Sequence, residues 1–331
     1  MSSDIWHLIG DIGGTNARFG VVSGTQPSHH TIGNYPVAAY PDFDGVLAEL
    51  RGDIAAAGFD LDRGGDACLA VAGPTNRPTI AFTNSPWHFD RALLSERLGL
   101  TTVHIINDFA AAARATPLLD STELEQVGGG AAVDQAPRVI MGPGTGLGVA
   151  GLLANPNGSY TVIAGEGGHV DFAPVTDIEA AVLSRLRARF GRVSIERLCC
   201  GAGIINIYQA LADYRQVSSN HDTAADIGAA AQAAHDPLAQ ETMALFFAVL
   251  GAAAGNFALT FGARGGVYVA GGIVPRYLDL LRCSDFRARF LAKGRFADYL
   301  AEIPTYLVLH EQLGLLGAAA TLRDAHAGAR P

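Results

Sequence analysis

The stretch Thr102-Val103-His104-Ile105-Ile106-Asn107-Asp108-Phe109-Ala110-Ala111-Ala112 changes periodicity in its middle, and the reading of the whole chain turns on that change. Val103 to Ile106, aliphatic apart from one histidine, predict a short buried strand, and the alanine-rich run after Asp108 predicts a helix. Asn107 and Asp108 therefore stand at the carboxyl end of a strand, where open α/β sheets bind their ligands. A purely local explanation is also available. Asp108 is expected to be the helix N-cap, its carboxylate accepting backbone N–H groups of the first turn.

Around this junction the N-terminal part of the chain alternates strands and helices, the pattern of an α/β domain. Residues 5–9 predict a strand that enters Gly10-Asp11-Ile12-Gly13-Gly14-Thr15, and Phe19-Gly20-Val21-Val22 a strand that leaves it. Phe43, Val46, Leu47, Leu50 and Ile54 recur at helical spacing within 41–58; 67–72 and 79–84 read as strands and 90–98 as a helix. Further on, the strand 138–141 enters Gly142-Pro143-Gly144-Thr145-Gly146 and the strand 147–153 leaves it. This repeats the first hairpin and predicts two related halves. A strand at 160–164 leads to Gly165-Glu166-Gly167-Gly168-His169, and one at 266–270 leads to Gly271-Gly272. Residues 178–190, 201–211, 223–234, 237–261 and 314–324 read as helices.

A chain of 331 residues, 49% of them hydrophobic, exceeds the length at which single cores usually divide, so two domains with a cleft are expected. The formal net charge of -9, with no run of Lys or Arg, argues against nucleic acid as a partner. Cys68, Cys199, Cys200 and Cys283 show no C-x-x-C spacing and are expected to be reduced thiols in the cytoplasm. Met1-Ser2-Ser3-Asp4 lacks the basic and apolar regions of a signal peptide. The uncharged run 242–263 is long enough to span a bilayer, but its glycine and alanine content reads as a buried helix, and no membrane partner is expected.

The glycine turns carry the chemistry. Asp11 and Thr15 give the first one a carboxylate and a hydroxyl, the equipment for Mg²⁺ and phosphate oxygens, although a plain hairpin would need neither. Lys293, the one lysine in the chain, is followed by Gly294, so a P-loop is impossible. Phosphates would have to be held by backbone N–H groups and a metal. Glu166 and His169, separated by two glycines, can point at one small polar ligand; a zinc site is disfavoured because neither H-E-x-x-H nor a suitably spaced cysteine accompanies them. Glu196 by itself reads as a solvated helix residue. Gly271-Gly272 leaves room for a flat ring against the backbone.

Taken together, these loops resemble the bacterial glucokinase family, within the wider group that shares the hexokinase, Hsp70 and actin nucleotide-binding fold. The resemblance runs from Gly10-Asp11-Ile12-Gly13-Gly14-Thr15 to Gly314-Leu315-Leu316-Gly317. Its most specific stretches are Ile106-Asn107-Asp108-Phe109, Gly144-Thr145-Gly146-Leu147-Gly148-Val149-Ala150 and Gly165-Glu166-Gly167-Gly168-His169-Val170-Asp171-Phe172-Ala173-Pro174. It implies an α/β, two-domain actin-like ATPase (ribonuclease H-like) fold with an interdomain cleft, divided into a small domain of 1–110 plus 311–331 and a large one of 111–310. The implied reaction is ATP-dependent phosphorylation of glucose at its 6-hydroxyl. Asp108 would be the base, with Asn107, Asp108, Glu166, His169 and Glu196 on the sugar. Gly10, Asp11, Ile12, Gly13, Gly14 and Thr15, with Gly144, Thr145 and Gly146, would hold phosphates, Gly271 and Gly272 would face the adenosine, and Asp11 would hold Mg²⁺. A cytoplasmic homodimer is implied as well, though no stretch marks an interface. Other readings are a different hexose kinase on the same scaffold, a sugar-sensing regulator without turnover, and a chaperone-like ATPase, which would not need Glu166, His169 and Glu196.

Overall fold

The computed structural model describes residues 5–23, 29–73, 75, 79–81 and 87–328. The chain forms two compact units, Met1–Leu118 with Glu311–Pro331, and Leu119–His310. The first boundary falls at Leu118 and not at 110, because the helix that Asp108 begins runs unbroken to Ala115 and continues into a 3-10 turn, Thr116–Leu118. A division at 110 would cut that helix.

In unit one, β1 (Trp6–Ile12), β2 (Asn16–Ser23) and β3 (His30–Pro36) are followed by α1 (Phe43–Ala56) and β4 (Gly64–Val71). Then come the small pair β5 (Thr79–Ala81) and β6 (His88–Asp90), α2 (Arg91–Leu98), β7 (Val103–Asn107) and α3 (Asp108–Ala115). Of the strand expected at 79–84, residues 82–84 lie outside the described residues. The sheet order is β3-β2-β1-β4-β7, with β3, β2 and β1 antiparallel and β1, β4 and β7 parallel.

Unit two contains β8 (Leu124–Gly128), β9 (Arg138–Pro143), β10 (Leu147–Ala154), β11 (Tyr160–Gly165), α4 (Asp177–Phe190), α5 (Gly201–Arg215), α6 (Ala224–Gln232) and α7 (Pro237–Phe261). It continues through β12 (Val267–Val269), α8 (Ile273–Arg276), α9 (Leu278–Arg282), α10 (Phe286–Leu291), α11 (Ala297–Ala301) and β13 (Thr305–Val308). The chain then returns to unit one as α12 (Leu313–Gly328). The order β11-β10-β9-β12-β13-β8 repeats the first sheet's sequence of directions, two antiparallel pairings and then two parallel ones, with β8 added antiparallel at the edge. α7 is long and apolar enough to cross a bilayer, yet most of it is buried within unit two, packed against α5, α6 and α10.

The two-residue period of β1 sorts its side chains onto two layers. Trp6, Leu8 and Ile12 join Phe43, Leu47 and Leu50 of α1, whereas Ile9 joins Leu315, Ala318, Ala319 and Leu322 of α12. Leu316, on the same helix, is only half-buried, whereas Ala318 is fully buried. α12 runs antiparallel along β1: Gly314 lies against Asp11, and at the other end His326 Nε2 is 2.7 Å from Asp66 Oδ2, with its ring beside that of His7. Asp66 in turn donates its backbone N–H to His7 Nδ1 at 3.0 Å.

α12 also sets the position of α3. A Cβ on Gly317 would lie 1.8 Å from the carbonyl oxygen of Ala111, so the two helix backbones touch where any side chain would force them apart. Gly52, in the exposed face of α1, has nothing within 4 Å of its Cβ position. Gly317→Ala is expected to cost about 1–3 kcal/mol of unfolding free energy by overpacking. Gly52→Ala is expected to add about 0.5–1 kcal/mol by restricting the unfolded chain. Denaturant titration of the two variants beside the parent checks both signs.

Candidate active site

Parallel strands deliver their carboxyl ends to one edge of a sheet. In unit one the register aligns Ile12 with Val71 and Val71 with Asn107. The Gly13-Gly14-Thr15 turn, the Ala72-Gly73 turn and the Asn107-Asp108 junction therefore share an edge, and Ala72 donates its N–H to Ile12 O at 3.1 Å. Gly10 and Ile12, expected among phosphate contacts, are buried strand residues, and the Cβ position of Gly10 is filled by Leu69 and Phe19. The part of this stretch presented at the edge is the turn itself, closed by Gly13 N–H to Asn16 O at 2.9 Å.

The helix cap is Asn107, not Asp108. Asn107 retains the extended backbone of β7 (φ -66°, ψ 147°), and its Oδ1 accepts from Phe109 N at 2.9 Å and Ala110 N at 3.2 Å. Asp108 is already the first helical residue, half-buried, with Oδ1 accepting from Phe109 N at 2.9 Å. Because the Asn107 oxygen is committed to the helix, its amide NH₂ is the group left to address a ligand, and that group only donates. The positive end of α3 favours an ionised carboxylate at Asp108.

Asp11 lies two residues before the first turn, in β1, directly opposite Arg18 in β2. Its side chain is 22% exposed, and the nearest Arg18 nitrogen is 4.0 Å away. Gly314 of α12 makes the room: a Cβ there would fall 2.3 Å from the Asp11 Cγ. Burial pushes the Asp11 carboxyl above the usual carboxylate range, and the Arg18 charge draws it partly back. Arg18 was not anticipated from the sequence, although counting outward from the Gly13-Gly14 turn places it opposite Asp11.

In unit two the parallel pair β9 and β12 likewise ends at one edge, so the Gly144-Thr145-Gly146 and Gly271-Gly272 turns lie side by side. Gly271 has φ +90°, and a Cβ on it would sit 2.5 Å from Pro143 O; this glycine closes the turn against β9. Gly272, exposed and with nothing within 4 Å of its Cβ position, is the member of the pair with open space before it. Gly144 donates its N–H to Gly146 O at 2.8 Å and accepts from Gly201 N, at the start of α5, at 2.9 Å.

Glu166, Gly167, Gly168 and His169 form a tight turn after β11, with His169 N–H donated to Glu166 O at 3.0 Å. Gly168 packs on β10, its Cβ position 2.2 Å from Leu147 O. Asp171 bridges Ser194, and Ile195 donates its N–H to Val170 O at 2.9 Å; these bonds bring Glu196, in the 3-10 turn Ile195–Arg197, beside His169. Glu196 Oε1 is 4.0 Å from His169 Nδ1, and Oε2 accepts from Leu147 N at 2.8 Å. Glu196 is thus a partly buried acceptor, 28% exposed, instead of the solvated residue its local sequence suggests, and His169 beside it is 58% exposed. Glu166 is exposed in the same turn. Just downstream, the Cys200 thiol caps α5 through Gly203 N, and Cys199 is core. The tight grouping of imidazole and carboxylate ligand atoms among the described residues is His7, Asp66 and His326, not Glu166 and His169.

Each unit therefore offers glycine turns and fixed acceptors at the carboxyl ends of its parallel strands. A family profile described as Glucokinase matches residues 8–325. The chain is 43% identical over 324 residues to a glucokinase of Hahella chejuensis, covering 98% of this chain and 99% of that protein. Among solved structures it is similar to the glucokinase of an Antarctic psychrotroph, with 35% identity, a TM-score of 0.84, and coverage of 96% of this chain and 99% of the other. A ROK family glucokinase from Streptomyces griseus in complex with glucose and AMPPNP shares the fold at 21% identity and a TM-score of 0.63, with 96% and 99% covered.

The raised pKa of Asp11 has a consequence for stability. A carboxyl raised in the folded state contributes most below its unfolded pKa and loses that contribution as pH rises through the folded value. Asp11→Asn is therefore expected to raise the melting temperature of the ligand-free protein at pH 7. The gain should vanish as the pH falls and the parent carboxyl becomes protonated, which thermal melts of both proteins across pH 3.5 to 7.5 would follow.

Proposed function

The chain belongs to the glucokinase family, with its α/β actin-like ATPase fold, and we propose that Asp108 is the base in its transfer of the ATP γ-phosphoryl group to the 6-hydroxyl of glucose. The observation that carries this assignment is the division of labour at the end of β7. Asn107 caps α3 through its Oδ1, and the Asp108 carboxylate, on the first helical residue, is oriented there by the Phe109 N–H on its own Oδ1. A carboxylate kept ionised there accepts the hydroxyl proton as the oxygen attacks phosphorus.

Phosphoryl transfer has a loose transition state, so positioning and charge stabilisation do most of the work. With Lys293 packed against Gly255 of α7, the phosphates fall to the backbone N–H groups around Gly13, Gly14 and Thr15 and around Gly144, Thr145 and Gly146. Asp11 fits a divalent cation: it is a largely buried carboxylate whose nearest cationic partner is 4.0 Å away, and it fills the space that a side chain on Gly314 would take. Mg²⁺ bound there would supply charge neutralisation to the phosphate oxygens. Glu166, His169 and Glu196 are assigned to the sugar hydroxyls, with the Asn107 NH₂ as a donor. A site built to bond each hydroxyl rejects analogues that leave its own polar groups unpaired. We place the enzyme in the cytoplasm as a homodimer, which light scattering after size exclusion would test.

Asp108→Asn should lower kcat about 10²- to 10⁴-fold while glucose binding persists. A coupled assay of glucose 6-phosphate formation, with calorimetric glucose titration, separates the two, and near-parental turnover would remove Asp108 from the role of base. Across a hexose panel, epimers altered at the hydroxyls that meet Glu166 and His169 should react at least about tenfold more slowly than glucose. Equal rates would count against that pocket.

A further inference from the structure

The Glu196 carboxylate is divided between two neighbours that the reaction needs separately. Oε2 accepts the Leu147 N–H at 2.8 Å and occupies the space that a Gly146 side chain would take, 2.6 Å from that Cβ position. Oε1 faces His169 Nδ1 at 4.0 Å. A planar carboxylate cannot displace one oxygen without moving the other. We infer that Glu196 is a positioning residue as well as a sugar ligand: it ties occupancy of the sugar pocket to the geometry of the Gly144-Thr145-Gly146 turn. This inference rests on the assignment of Glu196 to the sugar and of that turn to the nucleotide phosphates. Sugar on Oε1 holds the carboxylate in place, the carboxylate holds Leu147 N–H, and the turn is presented in one conformation. By reciprocity, whatever factor sugar adds to nucleotide affinity, nucleotide adds to sugar affinity.

The control is Gly52 of α1, exposed and outside the site, with nothing within 4 Å of its Cβ position, whereas a methyl group on Gly146 collides with Glu196 Oε2. Glucose affinity is measured by calorimetry without nucleotide, for the full-length parent, Gly52→Ala and Gly146→Ala, with circular dichroism to confirm folding. Gly146→Ala should weaken glucose binding roughly tenfold, as expected when a charge-assisted hydrogen bond is displaced, although its own residue touches no sugar. Gly52→Ala should leave glucose affinity within about twofold. Parental affinity in Gly146→Ala, or equal weakening in both variants, overturns the inference. If Gly146→Ala does not fold, Glu196→Ala replaces it: AMPPNP affinity without sugar should fall roughly tenfold, and an unchanged value overturns the inference. A parent protein that binds neither glucose nor AMPPNP would instead sink the assignment of the site itself, so the two failures are distinguishable.

Discussion

Parallel pairing is the constraint from which the chemistry of this chain follows. Strands that run the same way must be joined by crossovers, so every carboxyl end in the set reaches the same edge and every loop that leaves it starts there. β1, β4 and β7 gather Gly13-Gly14-Thr15, Ala72-Gly73 and Asn107-Asp108 in this way. β9 and β12 do the same for Gly144-Thr145-Gly146 and Gly271-Gly272. The antiparallel hairpins β1–β2 and β9–β10 add a tight turn at each edge, which a parallel crossover could not supply.

Polar groups at these edges are already committed before any ligand arrives. Asn107 spends its oxygen on α3, Glu196 spends one oxygen on Leu147, and Gly144 bonds both Gly146 and Gly201. Such commitments cost flexibility but fix which atom remains for a ligand and where it points. That is the preorganisation on which electrostatic catalysis depends. Asp11 is the exception, a largely buried carboxylate whose nearest cationic neighbour, Arg18, is 4.0 Å away.

Much of the fold was legible in the sequence because buried strands and helices announce themselves by period. The strands β1, β4, β7, β9 and β10 and the helices α1 and α7 appear as apolar runs or helical repeats. The edge strands β3 and β8 do not, although β7 and β11, also at sheet edges, do. β3 is exposed along most of its length, with Tyr35 its one fully buried side chain, and β8 has none; each is held by one neighbour's backbone, so no hydrophobic run marks either. β13 is buried but spans four residues, too few to show a period. Helix ends differ from the expected ones by up to four residues, as where α5 runs on to Arg215 past the expected 211, and the cap of α3 is Asn107 in place of Asp108.

The sequence by itself determined the family resemblance, the repeated strand–turn–strand design, the lack of a phosphate-binding lysine and the identity of the polar residues at each turn, because these are properties of local composition and order. Only the tertiary structure decided which atom of each residue is used. The Leu147–Glu196 bond joins positions 49 apart, the Asp11–Gly314 contact joins the two ends of the chain, and the Gly317–Ala111 contact sets the place of α3. Such pairings are fixed by how distant segments pack, and no period or spacing within a single segment encodes them.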